Sequence, residues 1–516
     1  MTQLPRAFVA ALLCGLVASS AAGAQALTSL LSIQVRYNTL KTSNRPQGTL
    51  KAQVDSLDAD IAAAMRVGHT GDLRRLYAKG LTILNGQSWT ELSDYQSSLL
   101  LRSDRVVVES SKPYVVRLEQ LYAPRIELTH ALVARASLRR RSAPSAGAST
   151  PPMETVKELG SFDGVSRDLR ESPLLIDASF SGVADGNYVI AVDVLDSARI
   201  LGTATLGVVL RKGLDDDIAR LESAAKGVAE PVRSDVLYPV DRMRHVNRGV
   251  LELRTFDVEK DIAAASTLVA SITATKDPYA GRTGDFKRHY LLVSANEVMP
   301  YHLYIPKNYK AGRATPLIVA LHGLGGTEDS FFDAYGKKLP DLAEQRGYII
   351  AAPLGYRVDG PYGAGLGNPP ADPTARKVTE LSEQDVMQVL AQVRQAYTID
   401  DSRIYLMGHS MGAIGTWKIA PKYPDIWAAI GMFSGFGAPA TVDKMKHIPQ
   451  FIVHGDNDPT VPVAGSRAMV AALKAAGAEH LYIEVPGGNH GNVVEPNFPA
   501  MFDFFDKHAK RAAVTP

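Results

Sequence analysis

Residues 404–417 read IYLMGHSMGAIGTW, an apolar run that breaks at Gly408-His409-Ser410-Met411-Gly412 and resumes with small residues. The run predicts a short buried strand, and Ala413, Ile414 and Ala420 predict a helix behind it. Between them lies a G-x-S-x-G turn, in which a serine is carried on a sharp strand-to-helix bend. Only small residues two before and two after the serine avoid a clash across such a bend. With 42 glycines in 516 residues, chance comes close to supplying this pattern, so its neighbourhood has to decide its meaning.

The segments around it repeat the same alternation. PLIVALHG, YIIAAP, IYLMGHS, AAIGMF, FIVHGD and LYIEVP are short apolar runs that end in Gly, Pro or polar turns. Helical spacing falls between them, which predicts a doubly wound, largely parallel sheet from about Phe286 onward. In LSEQDVMQVLAQVRQAY, Ser382 and Asp385 read as a capping-box pair at a helix start, with Val386, Leu390, Val393 and Tyr397 on one face.

In such a sheet the loops leaving the carboxyl ends of the strands share one crevice. Serine is a poor nucleophile until a base takes its proton, and the base needs an acid to hold its tautomer. FIVHGDNDPTVP offers Asp458 as the acid, with Asp456 as the alternative, and LYIEVPGGNHG offers His490 as the base. Ser410, Asp458 and His490 then follow in the chain order of an α/β-hydrolase triad. The turn His322-Gly323-Leu324-Gly325-Gly326 supplies a candidate oxyanion donor, the N–H of Leu324 with Gly325 as fallback, beside the N–H of Met411. His322 and His454 sit in His-Gly turns and read as loop-bonding residues, and His409 as a residue held beside the elbow.

Composition narrows the partners. Fifty-six basic against 54 acidic residues, a formal charge of +2, argue against a nucleic-acid or anionic-membrane surface. Residues 1–26, MTQLPRAFVAALLCGLVASSAAGAQA, carry Arg6, an apolar run and small residues, the pattern of a signal peptide cleaved near Ala24 or Ala26. The single cysteine, Cys14, lies inside it, so a mature chain has no disulfide. Expected next are a helical segment over 27–100, a small β-sandwich-like domain over 101–212, a helical connector over 213–280 and the α/β-hydrolase domain over 281–510. SAPSAGASTPP, Ser142 to Pro152, reads as a loop. No later apolar run is long enough to span a bilayer. No H-E-x-x-H, paired-cysteine site or Walker loop is present, and no cofactor or metal is expected.

LHGLGG, YTIDDSRIYLMGHSMGA and VHGDNDPTVP with GGNHG resemble the serine-esterase branch of α/β-hydrolases that holds feruloyl esterases, acetylxylan esterases and polyhydroxybutyrate-depolymerase-like proteins. The resemblance covers somewhat under half the chain and implies a serine carboxylesterase acting on small-molecule or polymer-borne esters, which the signal-peptide pattern would place in the periplasm or outside the cell. Several of these motifs are shared with prolyl-oligopeptidase-like peptidases, which keeps an amide-cleaving alternative open. A polymer-binding protein with an accessory hydrolase domain is another. The loop YRVDGPYGAGLGNPP places Tyr356 or Tyr362 as candidate substrate contacts.

Overall fold

The computed structural model describes residues 30–141, 153–248, 250, 251, 253, 256–272, 278–364 and 373–510. The expected signal peptide, with Cys14, and the expected loop over 142–152 lie outside them. The described chain forms two compact units, one of residues up to Leu221 with Arg242–Ala263, the other of Glu222–Asp241 with residues from Ala264 onward.

The first unit opens with three helices, Leu30–Asn44, Gly48–Val67 and Thr70–Leu84. They close on each other through Ile33, Tyr37, Val54, Leu57, Ile61, Leu73, Tyr77 and Leu84. Met65, four residues after Ile61 on the second helix, is instead 44% exposed. After a fourth helix, Glu91–Ser98, come eight strands: β1 Leu99–Arg102, β2 Val107–Val108, β3 Tyr114–Gln120, β4 Leu132–Arg141, β5 Met153–Val165, β6 Leu174–Ala178, β7 Gly186–Asp196 and β8 Arg199–Leu210. They build a three-stranded sheet, β1-β3-β6, and a five-stranded sheet, β2-β8-β7-β4-β5. Both sheets turn alternate apolar residues into one core, for example Val116 and Ile176 from the first and Ala134, Ile190 and Leu206 from the second. This is a β-sandwich, whose inner faces must be apolar at every second position.

The second unit is one eight-stranded sheet covered by helices. Its strands are β9 Gly284–Leu292, β10 Glu297–Ile305, β11 Thr315–Leu321, β12 Ile349–Pro353, β13 Ile399–His409, β14 Ala429–Phe433, β15 Gln450–Gly455 and β16 His480–Val485. The spatial order is β16-β15-β14-β13-β11-β12-β10-β9. β9 and β10 pair antiparallel, as do β10 and β12, and every pairing from β12 to β16 is parallel. This is the α/β-hydrolase fold. Every residue of β11, β12, β14 and β15 is buried, which is why these strands read as continuous apolar runs. The chain leaves β11 for β12 on one side and returns to β13 on the other, so the strand order reverses at β11. Such a switch point opens a crevice at the carboxyl ends of β11 and β13, because the connections after them depart in opposite directions.

One local expectation is corrected. The helix before β13 runs from Pro373 to Ala396, so Ser382 and Asp385 lie inside it and cap nothing. Both are fully buried. Ser382 Oγ accepts from the N–H of Tyr362 at 2.6 Å, and Asp385 accepts from the N–H of Tyr356 at 2.8 Å. The spacing that resembles a capping box serves instead to hold the loop after β12.

Candidate active site

β13 ends at His409, and the next helix begins at Met411. Ser410, between them, has φ 56° and ψ −117°, a conformation that costs an L-residue on the order of 1–3 kcal/mol and persists only where its surroundings enforce it. The enforcement is visible at the two flanking glycines. A Cβ on Gly408 would overlap the backbone of Gly412, and one on Gly412 would stand 2.5 Å from the carbonyl carbon of Leu321. The elbow therefore packs directly on the end of β11. Ser410 N–H donates to the carbonyl of Phe433 at 2.9 Å, which ties the elbow to β14 as well.

Ser410 Oγ lies 2.8 Å from His490 Nε2, and His490 Nδ1 lies 2.7 Å from Asp458 Oδ2. Asp458 follows β15 and His490 follows β16, two adjacent parallel strands. Their loops are joined by backbone bonds, Asn457 N–H to Gly488 O at 3.0 Å and Asp456 N–H to Val485 O at 3.2 Å. The Asp458 side chain is fully buried, whereas His490 keeps 19% of its side chain exposed. Burial alone would raise the Asp458 pKa, but donors from His454, His490 and the backbone N–H of Val461 overcome it and hold the carboxyl well below the usual carboxylate range. An ionised carboxylate at this position fixes the proton of His490 on Nδ1 and leaves Nε2 free to accept from the serine. Asp456 does not reach His490. Its carboxylate accepts from the N–H of Gly487 at 2.7 Å.

The oxyanion candidates separate in the same way. Gly325 N–H donates to the carbonyl of Val358 at 2.7 Å, so that donor is already used. Gly323 packs against Ser410, since a Cβ on it would lie 3.3 Å from Ser410 Cβ. That contact brings the Gly323-Leu324 turn alongside the elbow. Met411 is the first residue of its helix, where N–H groups have no intrahelical acceptor and are available to an anion.

His409 is held beside the elbow as the sequence reading has it, but its partners and several other supporting contacts escaped that reading. His409 Nε2 donates to the backbone carbonyl of His490 at 2.9 Å, and Tyr335 donates its hydroxyl to His409 Nδ1 at 2.8 Å. Burial, aided by the charge of His490, pushes His409 down to about 3, so it stays neutral and its one proton must face the carbonyl. The segment after the Leu324 turn is pinned at Glu328 and Asp329. Lys287 Nζ reaches them at 2.8 and 2.6 Å, and His302 Nδ1 reaches Asp329 at 2.7 Å while its Nε2 contacts Asp285. No local signal could have exposed these pairings, because their members come from the antiparallel edge and from the loop after β11. His322 does bond loops, lying 2.7 Å from the carbonyls of Gly323 and Leu354.

Tyr356 and Tyr362 are corrected from substrate contacts to buried supports. Tyr362 is fully buried, and a Cβ on Gly415 would stand 2.5 Å from its own Cβ. Tyr356 donates to Glu297 at 2.9 Å and packs under Arg357, whose guanidinium lies 3.7 Å from the ring centroid. Residues 365–370 of that loop lie outside the described residues. Among the described residues no group of three or more His, Cys, Asp or Glu is arranged to hold a metal ion, and no helix is long and apolar enough to cross a membrane.

Comparison with known proteins agrees with this region. Residues 293–511 match the esterase family, described as putative esterase. Feruloyl esterase B of Talaromyces stipitatus is 34% identical over 137 residues, which cover 26% of this chain and 35% of that protein. The bifunctional acetylxylan esterase/xylanase XynS20E of Neocallimastix patriciarum is 29% identical over 157 residues, 30% of this chain and 21% of that one. Putative esterase NocK of Nocardia uniformis subsp. tsuyamanensis is 26% identical over 276 residues, 53% of this chain and 71% of that one. The chain spans less than half the length of the two enzymes named first.

Proposed function

We propose that this chain, whose residues 293–511 match the esterase family, is a serine carboxylesterase that works through an acyl-enzyme on Ser410. The observation that carries the reading is the unbroken hydrogen-bonded path from Ser410 Oγ through His490 to Asp458 at the switch point of the sheet. In the proposed reaction His490 Nε2 takes the Ser410 proton as Oγ attacks the ester carbonyl. The N–H groups of Met411 and Leu324 receive the negative oxygen of the tetrahedral intermediate. His490 then gives its proton to the leaving alcohol, and the C–O bond of the ester breaks. Water, deprotonated by the same nitrogen, releases the acid and restores Ser410.

The names of the relatives make feruloyl and acetyl esters the first substrates to try, and export by cleavage near Ala24 or Ala26 belongs to the same reading. A panel of p-nitrophenyl esters, methyl ferulate, acetylated xylan, polyester film and a matched peptide amide tests the bond and the acid. We expect ester turnover and fluorophosphonate labelling in the wild type, both abolished in Ser410→Ala with the thermal unfolding curve retained. An active Ser410→Ala protein would overturn the assignment. N-terminal sequencing of exported protein checks the cleavage point.

A further inference from the structure

We infer that His454 is a positioning residue of this site, a second histidine that donates to the carboxylate of Asp458 and sets how strongly that carboxylate holds His490. The inference rests on the esterase reading above.

His454 is the penultimate residue of β15 and has no exposed surface. Its Nε2 lies 2.9 Å from the carbonyl oxygen of Val461 and 3.1 Å from Asp458 Oδ2. Neither oxygen has a proton to give, so Nε2 must carry one and share it between them. Its Nδ1 lies 2.7 Å from Ser466 Oγ, which is itself 2.9 Å from the carbonyl of Gly435. If the Ser466 hydroxyl donates to Nδ1 the ring is neutral, and if it donates to Gly435 then Nδ1 carries a proton as well and the ring is an imidazolium; in both arrangements the Nε2 proton stays on the side of Asp458.

Asp458 is thus held from four directions. Oδ1 accepts from the N–H groups of Thr460 and Val461 at 2.8 and 2.9 Å. Oδ2 accepts from His490 at 2.7 Å and lies 3.1 Å from His454 Nε2, whose proton also faces the carbonyl of Val461. The two histidines compete for the electron density of one oxygen. A donor from His454 makes that oxygen a weaker partner for His490 and so disfavours the imidazolium that His490 becomes. Removing that donor should therefore strengthen the hold of Asp458 on protonated His490. The other titratable groups around this pair are His409 on β13, whose ring lies 4.9 Å from that of His490, and Glu484 on β16, in register with His454 and paired with Arg467. Neither makes a hydrogen bond to the Asp458 carboxylate among the described residues.

The test is the pH profile of kcat/KM for His454→Leu and His454→Gln on a p-nitrophenyl ester. Leucine removes the donor, and we expect the acid limb to move up by about one unit and the plateau to fall roughly tenfold, with KM little changed. Glutamine places an N–H where Nε2 stood and should restore most of both. Folded variants whose acid limb stays where the wild type has it would overturn the inference, as would a glutamine variant no better than leucine. If the leucine variant does not fold, ¹⁵N-histidine NMR of the wild-type chain decides: Nε2 of His454 should remain protonated across the range in which activity titrates, and an unprotonated Nε2 refutes the assignment. Fluorophosphonate labelling of wild-type Ser410 is run alongside. No labelling removes the esterase reading itself, whereas labelling with an unmoved acid limb removes only the role of His454.

Discussion

One added methyl group at Gly412 tests whether the proposed nucleophile and the proposed oxyanion turn are held by direct backbone contact. In Gly412→Ala the new Cβ would stand 2.5 Å from the carbonyl carbon of Leu321 and 2.8 Å from the carbonyl oxygen of His322, where ordinary contact begins at 3.4 Å, and it would overlap the oxygen of Leu321. The atoms opposing it are backbone of Leu321, the last residue of a fully buried strand, and of His322 just after it, so no flexible side chain can give way. Relief requires the helix start and the end of β11 to part by roughly 1 Å, at an overpacking cost of about 1–3 kcal/mol. A shift of that size at the reacting atoms is worth about 10²-fold in rate. The Met411 N–H rides with Ser410 at the helix start and the Leu324 turn on β11, so the two proposed oxyanion donors move relative to each other. The loss should therefore fall mainly on kcat, with KM for a small activated ester changed far less. The assay is kcat and KM on p-nitrophenyl acetate, with the fluorophosphonate labelling rate and thermal unfolding measured on the same samples. Gly227→Ala serves as the control, since nothing lies within 4 Å of a Cβ there, and it should match the wild type. A folded Gly412→Ala protein with kcat within about threefold of wild type would refute the geometric reasoning.

Two further substitutions probe the carboxylates. Asp458→Asn puts an amide N–H₂ or a single carbonyl oxygen where His490 Nδ1 and His454 Nε2 both need an acceptor, so His490 loses its tautomer and kcat should drop on the order of 10³- to 10⁴-fold. Steady-state kinetics decide, and a loss under tenfold would show that another group orients the base. Asp385 is fully buried, and burial pushes its pKa up to about 6 despite bonds from Tyr290 and the backbone of Tyr356. Its folded pKa is above the unfolded value near 4, so the native state binds the extra proton and stability falls as pH rises between about 4 and 6. That slope is worth at most about 3 kcal/mol. Asp385→Asn should flatten this part of the curve in urea titrations run at each pH, and an unchanged slope would count against the shift.

Much of the catalytic sheet could be read from the chain because its inner strands are buried on both faces and so appear as unbroken apolar runs, as in TPLIVAL of β11. The elbow was legible because the sterics of a tight turn act between residues two apart. The Ser382 and Asp385 pattern misled for the opposite reason. Capping is a local inference, but these two side chains satisfy backbone N–H groups 20 and 29 residues away, and only the fold brings those within reach. Tyr356 and Tyr362 were drawn toward substrate by their place at the sheet end, yet the close approach of Gly415 and the pairing with Glu297 direct them inward.

By itself the sequence determined the succession of strands and turns and the order in which a serine, an acid and a histidine leave them. Those are consequences of periodicity and turn chemistry, which act over a few residues. Tertiary structure decided that Asp458, the first choice of acid, meets His490 while Asp456 turns to Gly487, that Val358 consumes the Gly325 N–H, and that His454 Nε2 comes within 3.1 Å of the Asp458 carboxylate. Ser410 and His490 are 80 residues apart and His490 and Asp458 are 32 apart. Contacts over such separations are fixed by the register of parallel strands, a property of the assembled sheet that no single segment carries.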